Sequence, residues 1–437
     1  MQTVLTQDFL FPELGVKRSP LKQARAGSFI DNMSLPVHRW FRYSAGFSAE
    51  WVKQMVQEKR KSLEFSVLDP FAGSGTTLVA AGAGGASAIG LETHPFMSRI
   101  AKTKIQIDIE SDELLHAGKQ LLDKAGVLYK NIAADDCPDL LARCFSADNL
   151  LQLEALRLAY TLTATGDDKI SALLWLAITS ILRECSHVGT AQWQYILPNK
   201  SKKRVLNPFT AFLSKIRLFS NDIALCSKSI NPHKLQLREE DARNITSIAE
   251  QSIDLVITSP PYPNNYDYAD STRLEMTFWR EITSWGDLHD AVRRNLICSC
   301  SQHSAKEKYD LDALLLNLYL EPIHHEIEAV CRNLASIRQS KGGKKTYHTM
   351  VAAYFIDLAR VLHSLRKVCK KGSELCFVIG DSAPYGIYVP VDKWLGELAM
   401  EAGFVSHTFE KNRDRNTKWK NRKHTVPLKE GNLWIKG

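Results

Sequence analysis

The chain has 437 residues, of which 44% are hydrophobic, 24% charged and 9% aromatic. That composition supplies a sizeable core and excludes a mostly disordered, collagenous or mucin-like protein, while the length favours two or three structural units. The formal net charge of +8 is a weak pointer to polyanionic partners.

Residues 1–27 show no clear period and read as an N-terminal arm, with four basic residues between positions 17 and 25. Asp8 and Glu13 break the positive-then-apolar order of a secretory signal. The longest strongly apolar window, 172–182, is too short to span a bilayer. A cytoplasmic protein is therefore expected. The aromatic-rich run 35–50 follows, with Ser48 placed to cap a helix beginning at Ala49. Residues 65–69 (FSVLD) read as a short strand. A glycine loop and the small-residue helical stretch 78–83 come next. A second strand, Ser87–Leu91, ends in Glu92 and precedes a helix over Pro95–Lys104.

The region 110–233 reads differently. Leu-rich helical periods occur at 112–129, 147–163, 171–184 and 208–228, with no strand pattern. It is expected to be a helical insertion between two parts of a catalytic domain, 28–109 and 234–437. Its tail holds Gln192-Trp193-Gln194-Tyr195. Strand character returns at 234–237, before Glu240-Asp241, and at Ile253–Thr258, which runs into Ser259-Pro260-Pro261-Tyr262. A second helical section, 271–368, contains the loop 340–345. A buried strand at 374–379, a helix at 391–402 and a basic, strand-rich ending complete an α/β pattern.

Charge is uneven along the chain. Residues 199–238 hold nine Lys/Arg against Asp222, and residues 411–437 hold nine against Asp414 and Glu430. Two such runs beside an enzymatic region suit a phosphate-backbone footprint. Trp419 is interleaved with charge in the second run, where a contact along phosphates and a solvated hairpin are equal readings. The nine cysteines are scattered and form no Cys-x-x-Cys pair. Cys298, Cys300 and His303 lack a fourth ligand at sensible spacing, so reduced thiols are expected rather than a metal site. His324, His325 and Asp357 read as surface polar residues of amphipathic helices.

Strand, glycine turn, helix is a device for bringing backbone close to a ligand. Gly73 and Gly75 permit an approach that a Cβ would block. The spacing Phe71-x-Gly73-x-Gly75 matches neither the dinucleotide fingerprint nor the phosphate-cradling loop of ATPases. Carboxylates at strand ends sharpen the picture. Glu92 can accept hydrogen bonds from ribose hydroxyls, and Asp241 can read an adenine amino group. With Asp69 and Ser259 they form a series of strand ends, pointing to one nucleoside cofactor without phosphates. In Ser259-Pro260-Pro261-Tyr262 the prolines remove backbone donors and stiffen the loop. Its free carbonyls and the serine hydroxyl can accept from the amino group of a base, and Tyr262 offers a flat face for stacking.

Asp69-Pro70-Phe71-Ala72-Gly73-Ser74-Gly75-Thr76-Thr77, joined to Thr258-Ser259-Pro260-Pro261-Tyr262, resembles the S-adenosylmethionine-dependent DNA amino-methyltransferases. The joint match is specific; either half alone is not. It covers residues 28–108 and 234–437, with 268–345 only loosely included, and it omits the insertion. The resemblance implies a Rossmann-like methyltransferase sheet with helices on both faces. It implies S-adenosylmethionine as cofactor and DNA as partner, with a cognate restriction or defence protein as companion and no metal. Tyr43 and Phe47 lie in the segment that resembles the family's cofactor-wrapping motif. Asp69, Phe71, Gly73, Gly75, Thr76 and Thr77 fall in its glycine motif, and Glu92 and Asp241 match its ribose-side and adenine-side acids. Ser259, Pro260, Pro261 and Tyr262 match its catalytic tetrapeptide. The serine form favours cytosine N4 over adenine N6. An RNA amino-methyltransferase and a catalytically silent nucleic-acid-binding module are the rival readings. The glycine motif precedes the tetrapeptide, and the insertion stands where one subclass carries its target recognition domain.

Overall fold

The computed structural model describes residues 29–132, 137–164, 166, 168–190, 195–264, 266–343, 345–415 and 426–437. The expected N-terminal arm, most of the Gln192–Tyr195 motif and Trp419 lie outside these residues.

Seven strands form one sheet: β1 Ser66–Asp69, β2 Ser87–Leu91, β5 Leu235–Arg238, β6 Ile253–Thr258, β7 Cys369–Gly380, β8 Ser406–Arg415 and β9 Leu428–Lys436. Their spatial order is β5-β2-β1-β6-β7-β9-β8. The first five run parallel, β9 is antiparallel to β7, and β8 is antiparallel to β9. This is the Rossmann-like sheet expected, with β1 in the middle of its five parallel strands. The chain winds outward to one side through β2 and β5, then to the other through β6 and β7. Strands β1 and β6 therefore flank the switch point, where open α/β sheets leave a crevice at their carboxyl ends.

Neighbouring residues of a strand face opposite sides of a sheet. Val67, Leu255, Ile257 and Cys376 join one buried cluster, while Leu68, Val256, Leu375 and Phe377 join the other. Burial on both faces explains why the central strands read as unbroken apolar runs. The helix Tyr347–Val368 supplies much of the second cluster. Ser48 caps the helix Ala49–Lys59 as expected, accepting a hydrogen bond from Trp51 N at 3.2 Å. No helix among the described residues is long and apolar enough to cross a membrane.

The insertion contains the helices Ser111–Tyr129, Asp139–Cys144, Ala147–Thr161, Lys169–Cys185 and Pro208–Cys226. Its apolar residues, among them Leu121, Leu156, Trp175 and Phe219, belong to the same cluster as Val67 and Leu78 of the sheet layer. The expectation that this region lacks strands is corrected. An antiparallel pair, β3 Val188–Thr190 and β4 Ile196–Ser201, lies between its last two long helices. The strands are short and interrupted by a register shift at Val188/Gly189, so no alternation builds up.

Asp222, the lone acid of the first basic run, is fully buried. It accepts hydrogen bonds from Val37 N at 3.0 Å, Arg39 Nε at 3.1 Å, Arg39 Nη2 at 2.5 Å and Trp40 Nε1 at 2.9 Å. Trp40 also stacks on Phe219, with ring centroids 4.5 Å apart. These contacts fix the turn that delivers the segment 41–47. Replacing Asp222 by Ala strands several buried donors, so D222A is expected to lower the unfolding free energy by about 3–5 kcal/mol in urea titration.

Candidate active site

A cleft of about 810 Å³, counting the space open at its mouth, lies at the carboxyl ends of β1, β2, β5 and β6. Tyr43, Phe47, Phe71, Gly73, Thr76, Glu92, Asp241, Ser259 and Pro261 line it. Segments up to 254 positions apart in the sequence, Tyr43 and Ile297, thus meet around one space. Asp69, Gly75, Thr77, Pro260 and Tyr262 stand outside that lining.

The glycine loop is held from below and from the side. Asp69 is buried at the end of β1. Its Oδ2 accepts from Thr77 Oγ1 at 2.6 Å, and its Oδ1 from Thr258 Oγ1 at 2.6 Å and Phe71 N at 3.0 Å. One carboxylate therefore fastens the start of the helix Thr76–Ala83 to the end of β6, immediately before Ser259. Burial still pushes its pKa up to about 6, against the pull of these hydrogen bonds. Gly73 and Gly75 have φ of +53° and +80°, left-handed values that favour glycine. A Cβ at Gly73 would stand 3.2 Å from Tyr43 Cε1, so the absent side chain leaves room between loop and ring.

Glu92 closes the loop from the next strand. Its Oε2 accepts from Gly73 N at 2.7 Å and its Oε1 from His94 N at 2.8 Å. Burial outweighs these bonds and raises the carboxyl to about 7, with the charge of Asp69 adding to the rise. Asp241 is partly exposed and is gripped by Arg243, whose Nη2 lies 2.7 Å from Oδ2. Arg243 also reaches Asp357 at 3.1 Å, and Asp357 accepts from Cys298 N at 3.1 Å. The reading of Asp357 as a surface residue is corrected: it is buried. Its partner is 114 positions away, which helical periodicity does not reveal.

Ser259 Oγ donates to the Val378 carbonyl on β7 at 3.1 Å. Its proton is thus committed to the main chain, leaving oxygen lone pairs as acceptors. Tyr262 sits beside the cleft, its ring 5.1 Å from the Arg415 guanidinium. Arg415 donates to the Asp381 carbonyl at 2.7 Å. Gly380 makes this packing possible, since a Cβ there would fall 2.7 Å from Arg415 Nη1 and 3.0 Å from Tyr262 Cε2.

Several lining residues escaped the sequence reading: Tyr268, His94 and the segment Asn295, Leu296 and Ile297. Burial pushes the His94 imidazole down to about 3, so it is neutral, and its Nε2 lies 3.0 Å from Thr272 Oγ1. The Tyr268 hydroxyl accepts from Tyr262 N at 3.4 Å. The dense aromatics at 262–268 were a usable signal for Tyr268; nothing in the sequence marked 295–297. All the described cysteines are free thiols. Among the described residues, no cluster of His, Cys, Asp or Glu is placed to hold a metal.

Comparison with known proteins agrees with this arrangement. A family described as DNA methylase, N6_N4_Mtase, matches residues 20–103. The type II methyltransferase M.BsoBI of Geobacillus stearothermophilus is 27% identical, over 86% of this chain and 80% of its own length. M.AvaI of Anabaena variabilis is 26% identical, over 86% of this chain and 81% of its own. M.MvaI of Kocuria varians is 21% identical, over 83% of this chain and 80% of its own. The paired motifs, the sheet and these matches support a DNA amino-methyltransferase, without separating the N4-cytosine branch from the N6-adenine branch.

Proposed function

We propose that this chain is a site-specific DNA methyltransferase that moves a methyl group from S-adenosylmethionine to the exocyclic N4 of cytosine, after flipping the base from the duplex. The observation that carries the reading is the meeting of the Gly73 loop, Glu92, Asp241 and Ser259 around one cleft. The serine of the tetrapeptide favours cytosine over adenine. The relatives are named type II methyltransferases, which makes a restriction or defence protein a natural companion.

The cleft suits a nucleoside cofactor without phosphates. Glu92 and Asp241 would take the ribose and adenine edges, Tyr43 and Phe47 the aliphatic end, and the space above Gly73 the close approach. When bound, the cofactor supplies a methyl group on a positively charged sulfur, whose leaving group is already neutral. The chain's own task is therefore alignment, with reacting atoms held roughly 3–3.5 Å apart. Ser259 Oγ and the Pro260 carbonyl would accept from the target amine and favour a pyramidal nitrogen with its lone pair aimed at the methyl. Serine with its proton on a main-chain carbonyl is no base, so the amine loses its proton during or after transfer. Extruding the base costs a few kcal/mol, and stacking on the tyrosines beside Ser259 offsets about 1–3 kcal/mol of that.

Incubation with duplex DNA and labelled cofactor, followed by nucleoside mass spectrometry, tests the reading. N4-methylcytosine is expected. N6-methyladenine would transfer the assignment to the other branch, and label on RNA but not DNA would reject both. Removing the stacking face should slow turnover by roughly 5- to 150-fold. Y262A is expected to show that loss with cofactor affinity unchanged, and equal losses in both would contradict the assignment.

Glu92 predicts a pH dependence. Its folded-state pKa is raised to about 7, and only the ionised form accepts from both ribose hydroxyls. Affinity for S-adenosylhomocysteine is therefore expected to rise as pH increases through 7 and then level off, read by calorimetry. The variant E92Q should bind more weakly at pH 8 and lose the dependence. In the unliganded protein the sign is opposite: the folded state holds the extra proton, so this group's stabilisation is lost as pH rises through 7.

A further inference from the structure

We propose that the paired strands β3 and β4, with the segment just after β4, grip the major groove of duplex DNA beside the extruded base, with Lys200, Lys203 and Arg204 on the phosphates. The proposal rests on the DNA methyltransferase reading and names the element that holds the substrate.

Position comes first. The Tyr195 hydroxyl, just before β4, accepts a hydrogen bond from Asp267 N at 2.7 Å. The Tyr195 ring lies 5.8 Å from Tyr266, and Tyr266 lies 4.4 Å from Tyr268. Tyr268 lines the cleft. The start of β4 is thus fastened to the loop that follows the tetrapeptide, beside the cleft that Tyr268 lines. Asp267 is itself fixed by Arg293, Nη2 to Oδ2 at 2.7 Å, both buried.

Stiffness comes second. At the other end of the hairpin Lys202 N donates to the His187 carbonyl at 2.8 Å, and Lys202 Nζ to the Arg183 carbonyl at 2.5 Å. Arg183 pairs with the buried Glu275 at 2.5 Å. A ribbon anchored at both ends can set a register on DNA.

Charge comes third. Residues 187–204 contain four Lys/Arg and no Asp or Glu. Lys202 is committed to the anchor, but Lys200 on β4 and Lys203 and Arg204 just beyond its end are exposed. Cationic, acid-free and two strands wide, the hairpin fits the roughly 12 Å width of the major groove.

The test uses the full chain with S-adenosylhomocysteine and a fluorescent duplex, titrated between about 50 and 200 mM salt. Each phosphate contact removed should reduce the slope of log K against log salt by about 0.9. K200Q/K203Q/R204Q is expected to lose about 3 from the slope, each single variant about a third of that, with cofactor affinity unchanged. K61Q/K228Q/K371Q, at or near the amino ends of the strands, is expected to keep the wild-type slope. A wild-type slope in the hairpin variants, or an equal loss in both triples, would overturn the proposal. If the wild type binds S-adenosylhomocysteine but no duplex, the DNA reading beneath it fails instead.

Discussion

A single buried carboxylate joins the two halves of the site. Asp69 accepts from Thr77 on one side and Thr258 on the other, so the glycine loop and the strand leading to Ser259 share one anchor. Burying a carboxylate is costly unless its oxygens are filled. Here two hydroxyls and a backbone N–H fill them. Because both partners belong to motifs, the anchor also explains why those motifs carry threonines at these positions. Parallel pairing of β1 with β6 sets the coarse alignment, and Asp69 sets the fine one.

The wall opposite the loop is built by a longer route. Asp222, from the insertion, orders Val37, Arg39 and Trp40. The chain then presents Tyr43 and Phe47 to the cleft. Asn32 completes the brace, donating to the Phe47 carbonyl at 2.8 Å and accepting from Ala49 N at 2.9 Å. The insertion therefore has a structural part in the site, whatever its role toward DNA. Its core is continuous with one face of the sheet, so it packs as an extension of that layer.

Much of this was legible because short-range chemistry dictated it. FSVLD, SAIGL and IDLVIT are apolar runs ended by turn residues, and each became a parallel strand with a site residue at or just beyond its end. Gly73 and Gly75 announced a tight loop, and both take left-handed φ values in it. What escaped depends on distant pairs. Asp357 was misread because Arg243 meets it from another element. Asp222 looked like a stray acid in a basic run because its four donors lie more than 180 positions upstream. The β3–β4 hairpin was missed because three- and six-residue strands give no usable period. Tyr268 and the segment 295–297 reach the cleft only through loop geometry.

The central claim is that cofactor loop and catalytic tetrapeptide share one space. A crystal structure of the full chain with S-adenosylhomocysteine tests it most directly. The account predicts ribose hydroxyls on Glu92, adenine toward Asp241, and the sulfur facing Ser259. Density for the ligand elsewhere, such as the hollow between Arg99, Asp168 and Glu281, would contradict it.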